Sequence, residues 1–195
     1  KQITSGKGDG VEIKGIDEKS KTIYFQSAET GAMNKDLCAV KLDGSKKQFL
    51  SSKKGNNDAD FSNNYKYYIS TFSDANTPSV FSINNINGKE LLSLEKNEKL
   101  AETLKKYSFT KKEFSVLKTE NGIELNYWMI KPDNFDATKK YPMLMYVYGG
   151  PGHNTVTNSY GYSDLAWFEM LAQKGYIVVS VDNRGTGYRG EEFKK

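Results

Sequence analysis

An interval of 44 residues constrains this chain more than any other feature. It separates Tyr24 from Tyr68, in the aromatic stretches TIYFQS and KYYIST, and separates the pair Asp43-Gly44 from Asn87-Gly88. Asp-Gly and Asn-Gly pairs are strong tight-turn signals, because such turns need positive φ at their centre. Along the same stretch VEIKGI alternates apolar and polar residues. TIYF, LCAVKL, YKYYISTF, SVFSI and LLSL follow, separated by Gly, Asn, Asp and Ser clusters. That is the pattern of short half-buried strands. A period of roughly 40–45 residues with several strands per unit marks a β-propeller blade. Two copies also suit hairpins in a sandwich, so both architectures stay open, with the propeller favoured. Residues 1–95 are expected to be all strand, as the end of a propeller.

The pattern then changes. In EKNEKLAETLKKY, Leu100, Ala101, Leu104 and Tyr107 recur at helical spacing. Asn97 can cap that helix, with Glu98 in the first turn and Lys105 and Lys106 in the last, as the helix dipole prefers. A linker helix is expected over residues 96–107. Its apolar face is too short, and its charges too mixed, for a membrane surface. Residues 108–195 open with EFSVLKTENGIELNYWMIKP, a hairpin around Asn121-Gly122. YPMLMYVYGGPG is a near-continuous apolar strand ending in glycines. SDLAWFEMLAQKG is a helix with Leu165, Phe168 and Ala172 on one stripe, Trp167 and Leu171 beside it, and Gly175 as its stop. YIVVSV is a buried strand. A hairpin followed by strand, helix and strand predicts the start of an α/β domain with a mixed, mostly parallel sheet.

Composition narrows the partners. The chain is 37% hydrophobic and 27% charged, an ordinary globular balance. Its net charge of +4 is scattered, with no basic stripe interleaved with aromatics, so nucleic acid is not an expected partner. SKKGNN and KKEF read as solvated turns and faces. The single cysteine, Cys38, allows no disulfide within the chain and no zinc set; its apolar neighbours predict a small buried residue. No metal and no cofactor are expected. The longest apolar runs are about six residues, against roughly 20 for a spanning helix. No signal peptide is visible. The chain begins KQITSG without an initiator methionine, which reads as part of a longer protein.

NRGTGYRG, after YIVVSV, sets Gly185, Gly187 and Gly190 at the spacing G-x-G-x-x-G. Such glycines can turn tightly beneath a pyrophosphate at a helix N-terminus. The dinucleotide fingerprint also needs a following helix and an acid roughly 20 residues on. Asp182 and Arg184, before the first glycine, are bulkier than such a site admits. A glycine-rich connection after a core strand is the favoured reading.

YPMLMYVYGGPG followed by GYIVVSVDNRGTGYRG resembles the opening of the catalytic domain of the prolyl oligopeptidase family of serine peptidases, most of all its dipeptidyl peptidase IV branch. The hairpin LKTENGIELNYWMIKPDNFDATKKYP is similar to that family's entry into its α/β-hydrolase domain, and DADFSNNYKYYIST to the end of its propeller. The resemblance covers nearly all of the chain. It implies C-terminal β-propeller blades in 1–95, the linker helix, and the N-terminal part of an α/β-hydrolase domain in 108–195.

The resemblance implies acyl transfer: a serine attacks the peptide carbonyl, with histidine as base and aspartate as its orienter. The serine belongs in G-x-S-x-G, with chain order Ser, Asp, His. GYSDL offers Gly161 and Ser163, but Leu165 replaces the second glycine and no strand precedes it, so Ser163 or Asp164 is expected to cap the helix. His153, the sole histidine, lies upstream of any elbow and reads as a loop residue rather than the base. The His-Asn pair at 153–154 is a departure from the residues the family often shows after this proline. Tyr148 holds the family's tyrosine position, whose hydroxyl donates to the oxyanion; the alternative is an aromatic closing the sheet edge, as Tyr146 can do. Asp182, Arg184, Gly185 and Gly187 are implied to shape and support a loop beside the active site, Asp182 and Arg184 by charged hydrogen bonds.

By this resemblance the triad lies beyond residue 195, the carboxylates for a substrate's amino terminus lie in an earlier propeller segment, and the 195 residues alone are inactive. The expected parent is a serine exopeptidase releasing N-terminal Xaa-Pro dipeptides. The alternatives are an acylaminoacyl peptidase or oligopeptidase of the same family, a propeller binding module with a degenerate hydrolase remnant, and the dinucleotide enzyme. Peptides are the expected substrates. A homodimeric parent in the periplasm or outside the cell is also what the resemblance implies.

Overall fold

The computed structural model describes residues 2–6, 8–161 and 164–195. β1 (Gly10–Asp17), β2 (Thr22–Ser27), β3 (Asp36–Lys41) and β4 (Gln48–Phe49) form one antiparallel sheet in chain order. β5 (Asn56–Phe61), β6 (Tyr67–Asp74), β7 (Thr77–Asn85) and β8 (Glu90–Glu95) form a second in the same way. Tyr24 lies in the second strand of its sheet and Tyr68 in the second strand of the other. Gly44 and Gly88 turn the third strand into the fourth in each, with φ of +90° and +88°. The 44-residue interval is therefore one four-stranded unit, as in consecutive propeller blades.

The two repeat tyrosines meet in the core between these sheets. Tyr24, Leu37, Ala39 and Leu50 from the first pack against Ala59 and Tyr68 from the second. The Phe61 ring sits 4.5 Å from that of Tyr24 and 5.2 Å from that of Tyr68. Each such pair adds about 0.5–1.5 kcal/mol beyond its buried area. Phe25, Cys38 and Val40 form a smaller cluster on the first sheet's other face. Cys38 is completely buried, and burial pushes its thiol up to about 12.

β5 was not among the expected strands, because NNDADF is too polar to read as one. Its inward positions are Asn57 and Ala59. Burial of Asn57 is tolerable because its amide donates to the Lys35 and Lys53 carbonyls at 2.8 and 2.9 Å.

The helix at 96–107 is shorter than predicted: α1 spans Glu98–Leu104. Asn97 sits at its N-cap in the left-handed region, but its amide turns away to the Ser79 carbonyl instead of capping. Lys105 is the C-cap, and no basic residue lies in the last turn. The predicted apolar stripe is not buried in a core; Leu100 and Tyr107 are exposed.

β9 (Glu113–Lys118), β10 (Glu124–Ile130), β11 (Met143–Tyr146) and β12 (Ile177–Val181) form the third sheet in the order β11-β12-β10-β9. Only β11 and β12 pair in parallel; β12 meets β10 and β10 meets β9 antiparallel. The expected mixed, mostly parallel sheet is mixed but mostly antiparallel among the described residues, because the β9–β10 hairpin pairs directly with β12. α2 (Leu165–Gln173) covers it. Phe168 and Ala172 join Trp128, Ile130, Val156 and Val178 in a core that Met33 of the first blade also touches. Trp167 points outward and is exposed. Gly175, at φ +88°, closes α2: its N–H reaches the Ala172 carbonyl and that of Tyr176 the Leu171 carbonyl, which satisfies carbonyls left open at the helix end. Ser163 lies outside the described residues. Asp164 occupies the N-cap, and its side chain makes no capping bond.

Among the described residues, no helix is long and apolar enough to cross a membrane, and no cluster of metal-binding side chains is present.

Candidate active site

Because β11 and β12 run parallel, both end at the same edge of the sheet. Carboxyl ends of such strands are where open α/β sheets bind ligands. The segment 147–156 leaves β11 there, and 182–190 leaves β12. These two loops carry every site residue that the sequence predicted.

Asp182 is the anchor. Only 3% exposed, it extends the β12–β10 pairing by donating its N–H to the Asn126 carbonyl at 3.0 Å. One of its carboxylate oxygens accepts the Thr155 N–H at 2.8 Å, the Thr155 hydroxyl at 3.1 Å and the Val156 N–H at 3.2 Å. The other accepts the Asn154 amide at 3.0 Å. A buried carboxylate needs such donors, and hydrogen bonds to a charged group contribute about 1.5–3 kcal/mol each.

The glycines complete the clamp. The Gly187 N–H donates to the Asn154 side-chain oxygen at 2.9 Å, and the Asn154 amide donates back to the Gly187 carbonyl at 3.2 Å. The Gly152 N–H donates to the Gly185 carbonyl at 2.8 Å. A side chain at 187 would crowd the Asn154 oxygen at 3.1 Å, whereas Gly185 is required by its φ of +96°. Arg184 has a different setting from Asp182. It is exposed, and its guanidinium donates to the Glu192 carbonyl at 2.8 Å, tying the loop to α3 (Glu191–Lys194). Gly185 and Gly187 spend their N–H groups on the Phe193 carbonyl and the Asn154 side-chain oxygen.

Tyr148 lies beyond the end of β11, 61% exposed, with its ring 4.3 Å from that of His153. Strand alternation predicts that Tyr146 and Tyr148 point the same way. Tyr146 packs against Phe168, at 5.4 Å, whereas Tyr148, two residues on and past the end of β11, is exposed among the described residues. Met143, Met145 and Val147 are also exposed, so one face of this apolar strand is open among the described residues.

Sequence reasoning missed the polar run Asn154–Tyr160, which joins the loop to both blades. The Asn158 N–H donates to the Met33 carbonyl at 2.8 Å, and its amide to Asn34 at 3.0 Å. Its side-chain oxygen accepts the Ala75 N–H at 3.0 Å. The only signal for this was the density of Asn and Thr after a glycine turn. Glu169 was also missed, being 2% exposed on the apolar side of α2. It accepts the Thr110 N–H at 2.9 Å, and burial pushes its carboxyl up from the usual range. It borders a cavity of about 470 Å3 with Leu104, Tyr107, Phe109, Tyr160 and Leu165.

Two blade-like sheets thus lead into a mixed sheet with a clamped pair of loops, a propeller portion followed by a second unit. Residues 1–79 match the family described as the dipeptidyl peptidase IV N-terminal region. The chain is dipeptidyl peptidase IV-like. It is 35% identical over its whole length to a probable dipeptidyl-aminopeptidase B of Arthroderma benhamiae, and 33% identical over 99% of its length to dipeptidyl aminopeptidase A of Saccharomyces cerevisiae. It spans 22% of the length of each of these relatives. The crystal structure of Porphyromonas gingivalis dipeptidyl peptidase 4 superposes on all of it with a TM-score of 0.92 at 45% identity, over 27% of that chain.

Proposed function

We propose that the protein carrying this chain is a serine exopeptidase that releases N-terminal Xaa-Pro dipeptides by acyl transfer, and that residues 108–195 are the N-terminal part of its α/β-hydrolase domain. One observation carries the reading. In a chain whose relatives are dipeptidyl peptidases, Tyr148 stands at the carboxyl edge of the sheet with an exposed ring, on a loop held to Asp182. In this reading a serine elsewhere in the protein attacks the scissile carbonyl, and its histidine and aspartate partners also lie outside these residues. The Tyr148 O–H donates to the oxygen as it becomes negative. A donor already in position stabilises that charge without reorganisation, which lowers the barrier rather than merely tightening substrate binding. Asp182, Gly185, Gly187 and Arg184 support the loops and touch no substrate. A periplasmic or extracellular location and a homodimeric form belong to the same proposal, supported by the family resemblance alone.

The test is turnover of a Gly-Pro chromogenic substrate by the full-length protein. Dipeptide release that stops on labelling with a fluorophosphonate serine probe is expected. Absence of release, or release that survives complete labelling, would overturn the reading.

A further inference from the structure

We infer that His153 is a positioning residue for Tyr148. Its catalytic consequence rests on the oxyanion role proposed above; the positioning itself does not. Among the described residues the tyrosine has little else to hold it. β11 stops at Tyr146, and Tyr148 is followed by Gly149 at φ +72° and by Gly150. Its hydroxyl makes no hydrogen bond among the described residues, and most of its ring is open to solvent. Two contacts define where the ring lies. It crosses the Gly150 backbone so closely that a Cβ there would sit 2.5 Å from ring carbon Cε1. Its other contact is the His153 imidazole, with centroids 4.3 Å apart and planes inclined at 45°.

His153, by contrast, sits on anchored backbone. On one side the Gly152 N–H is bound to Gly185. On the other, Asn154 is paired reciprocally with Gly187, and Thr155 and Val156 are held by the buried Asp182 carboxylate. A ring on anchored backbone therefore leans against a ring on glycine-rich backbone. The direction of support runs from Asp182 through Asn154 to His153 and then to Tyr148. Without the imidazole, Tyr148 can rotate about χ1 into solvent, and a donor that wanders has to be reordered each time charge develops. This gives the chain's single histidine a use that its place in the chain order denies it as a base.

The experiment uses the full-length protein with 3-fluorotyrosine incorporated, the Tyr148 signal being the one missing from Tyr148→Phe. His153→Ala is expected to move that 19F signal toward the value of a solvent-exposed tyrosine, and His153→Phe to keep it displaced. With a dipeptidyl substrate, His153→Ala should lower kcat about two- to tenfold, the range of one aromatic contact, at nearly unchanged KM. His153→Phe should restore most of it, and His153→Ala should cost nothing further in a Tyr148→Phe background. A Tyr148 signal unmoved by His153→Ala overturns the inference, as does an equal kcat loss in both backgrounds. A signal that moves while Tyr148→Phe leaves kcat untouched upholds the positioning and overturns the oxyanion role instead.

Discussion

The buried Asp182 carboxylate binds Thr155 twice, through the backbone N–H at 2.8 Å and the hydroxyl at 3.1 Å. The loop after β12 is thereby fastened to the loop after β11 by side chain rather than by sheet pairing. With the Val156 N–H and the Asn154 side-chain amide, Asp182 accepts two backbone and two side-chain donors from residues 154–156.

Asp182→Asn puts an NH2 group where a donor now arrives. Turning the new amide toward Asn154 sets donor against donor, and flipping Asn154 would break its bond from Gly187. Leaving such a buried group unsatisfied costs about 1–3 kcal/mol. A fall in the unfolding midpoint of the full-length protein, followed by calorimetry, is the expected outcome. An unchanged midpoint would show that the loops are held in some other way.

Gly185 and Gly187 are required for different reasons, and substitution separates them. At Gly185, with φ +96°, a Cβ meets no neighbour within 4 Å; the difficulty is the backbone conformation alone. Asn tolerates positive φ better than Ala, so Gly185→Asn should be milder than Gly185→Ala. At Gly187 the obstacle is space, with the Asn154 oxygen 3.1 Å and the Gly152 carbonyl 3.3 Å from a Cβ. There Asn, being larger, should be worse than Ala. Thermal melts of the four variants check the crossed ranking; the same order at both sites would refute it.

How far the sequence reveals this arrangement depends on whether a contact leaves a periodic mark. Tyr24 and Tyr68 do, because aromatic strands and the Asp43-Gly44 and Asn87-Gly88 turns recur with each blade. β5 does not, because its inward Asn57 is satisfied in part by the Lys35 carbonyl, 22 residues away in sequence. Tyr148 was legible as a residue through the motif around it, but its place past the end of the strand that holds Tyr146 was not. Alternation holds only while the strand lasts, and β11 ends at Tyr146. The roles of Asn154, Asn158 and Glu169 were not legible for a shared reason: each is defined by a partner in another element.

Lys35 gives a pH-dependent prediction. Its ammonium is buried over the Tyr188 ring, 3.0 Å from the centroid, without a hydrogen-bond partner among the described residues. Burial lowers its pKa from 10.5 to about 8, with Asp9, Asp182 and Asp36 opposing the shift. Between those values the unfolded chain binds more protons than the folded one, so stability rises with pH across that window. Below about 8 the full burial cost is present; above 10.5 it is gone. The whole gap corresponds to roughly 3 kcal/mol. Lys35→Met should therefore gain on the native protein most below pH 8, and the gain should shrink toward pH 10.5. Parallel melts of the two proteins across that range test it; a difference that stays flat with pH would show that the ammonium is not desolvated.

Substitution separates Tyr146 of β11 from Tyr148 beyond its end. Tyr146 is packed against Phe168 in the core, whereas the Tyr148 ring is exposed beside His153. If the Tyr148 hydroxyl meets the oxyanion, its interaction exists in the transition state and not with bound substrate. Tyr148→Phe in the full-length protein should then lower kcat and leave KM nearly unchanged. Losing one such donor costs on the order of 10²–10³ in rate, or about 3–4 kcal/mol. The phenyl ring remains against His153, so Tm should barely move. Tyr146→Phe removes a hydroxyl from the same strand without touching the loop, and kcat should stay close to that of the native protein. The pairing of kinetics with melting matters, because a drop in Tm would let unfolding explain a lost rate. Equal, small kinetic effects at both positions would assign Tyr148 to packing alone.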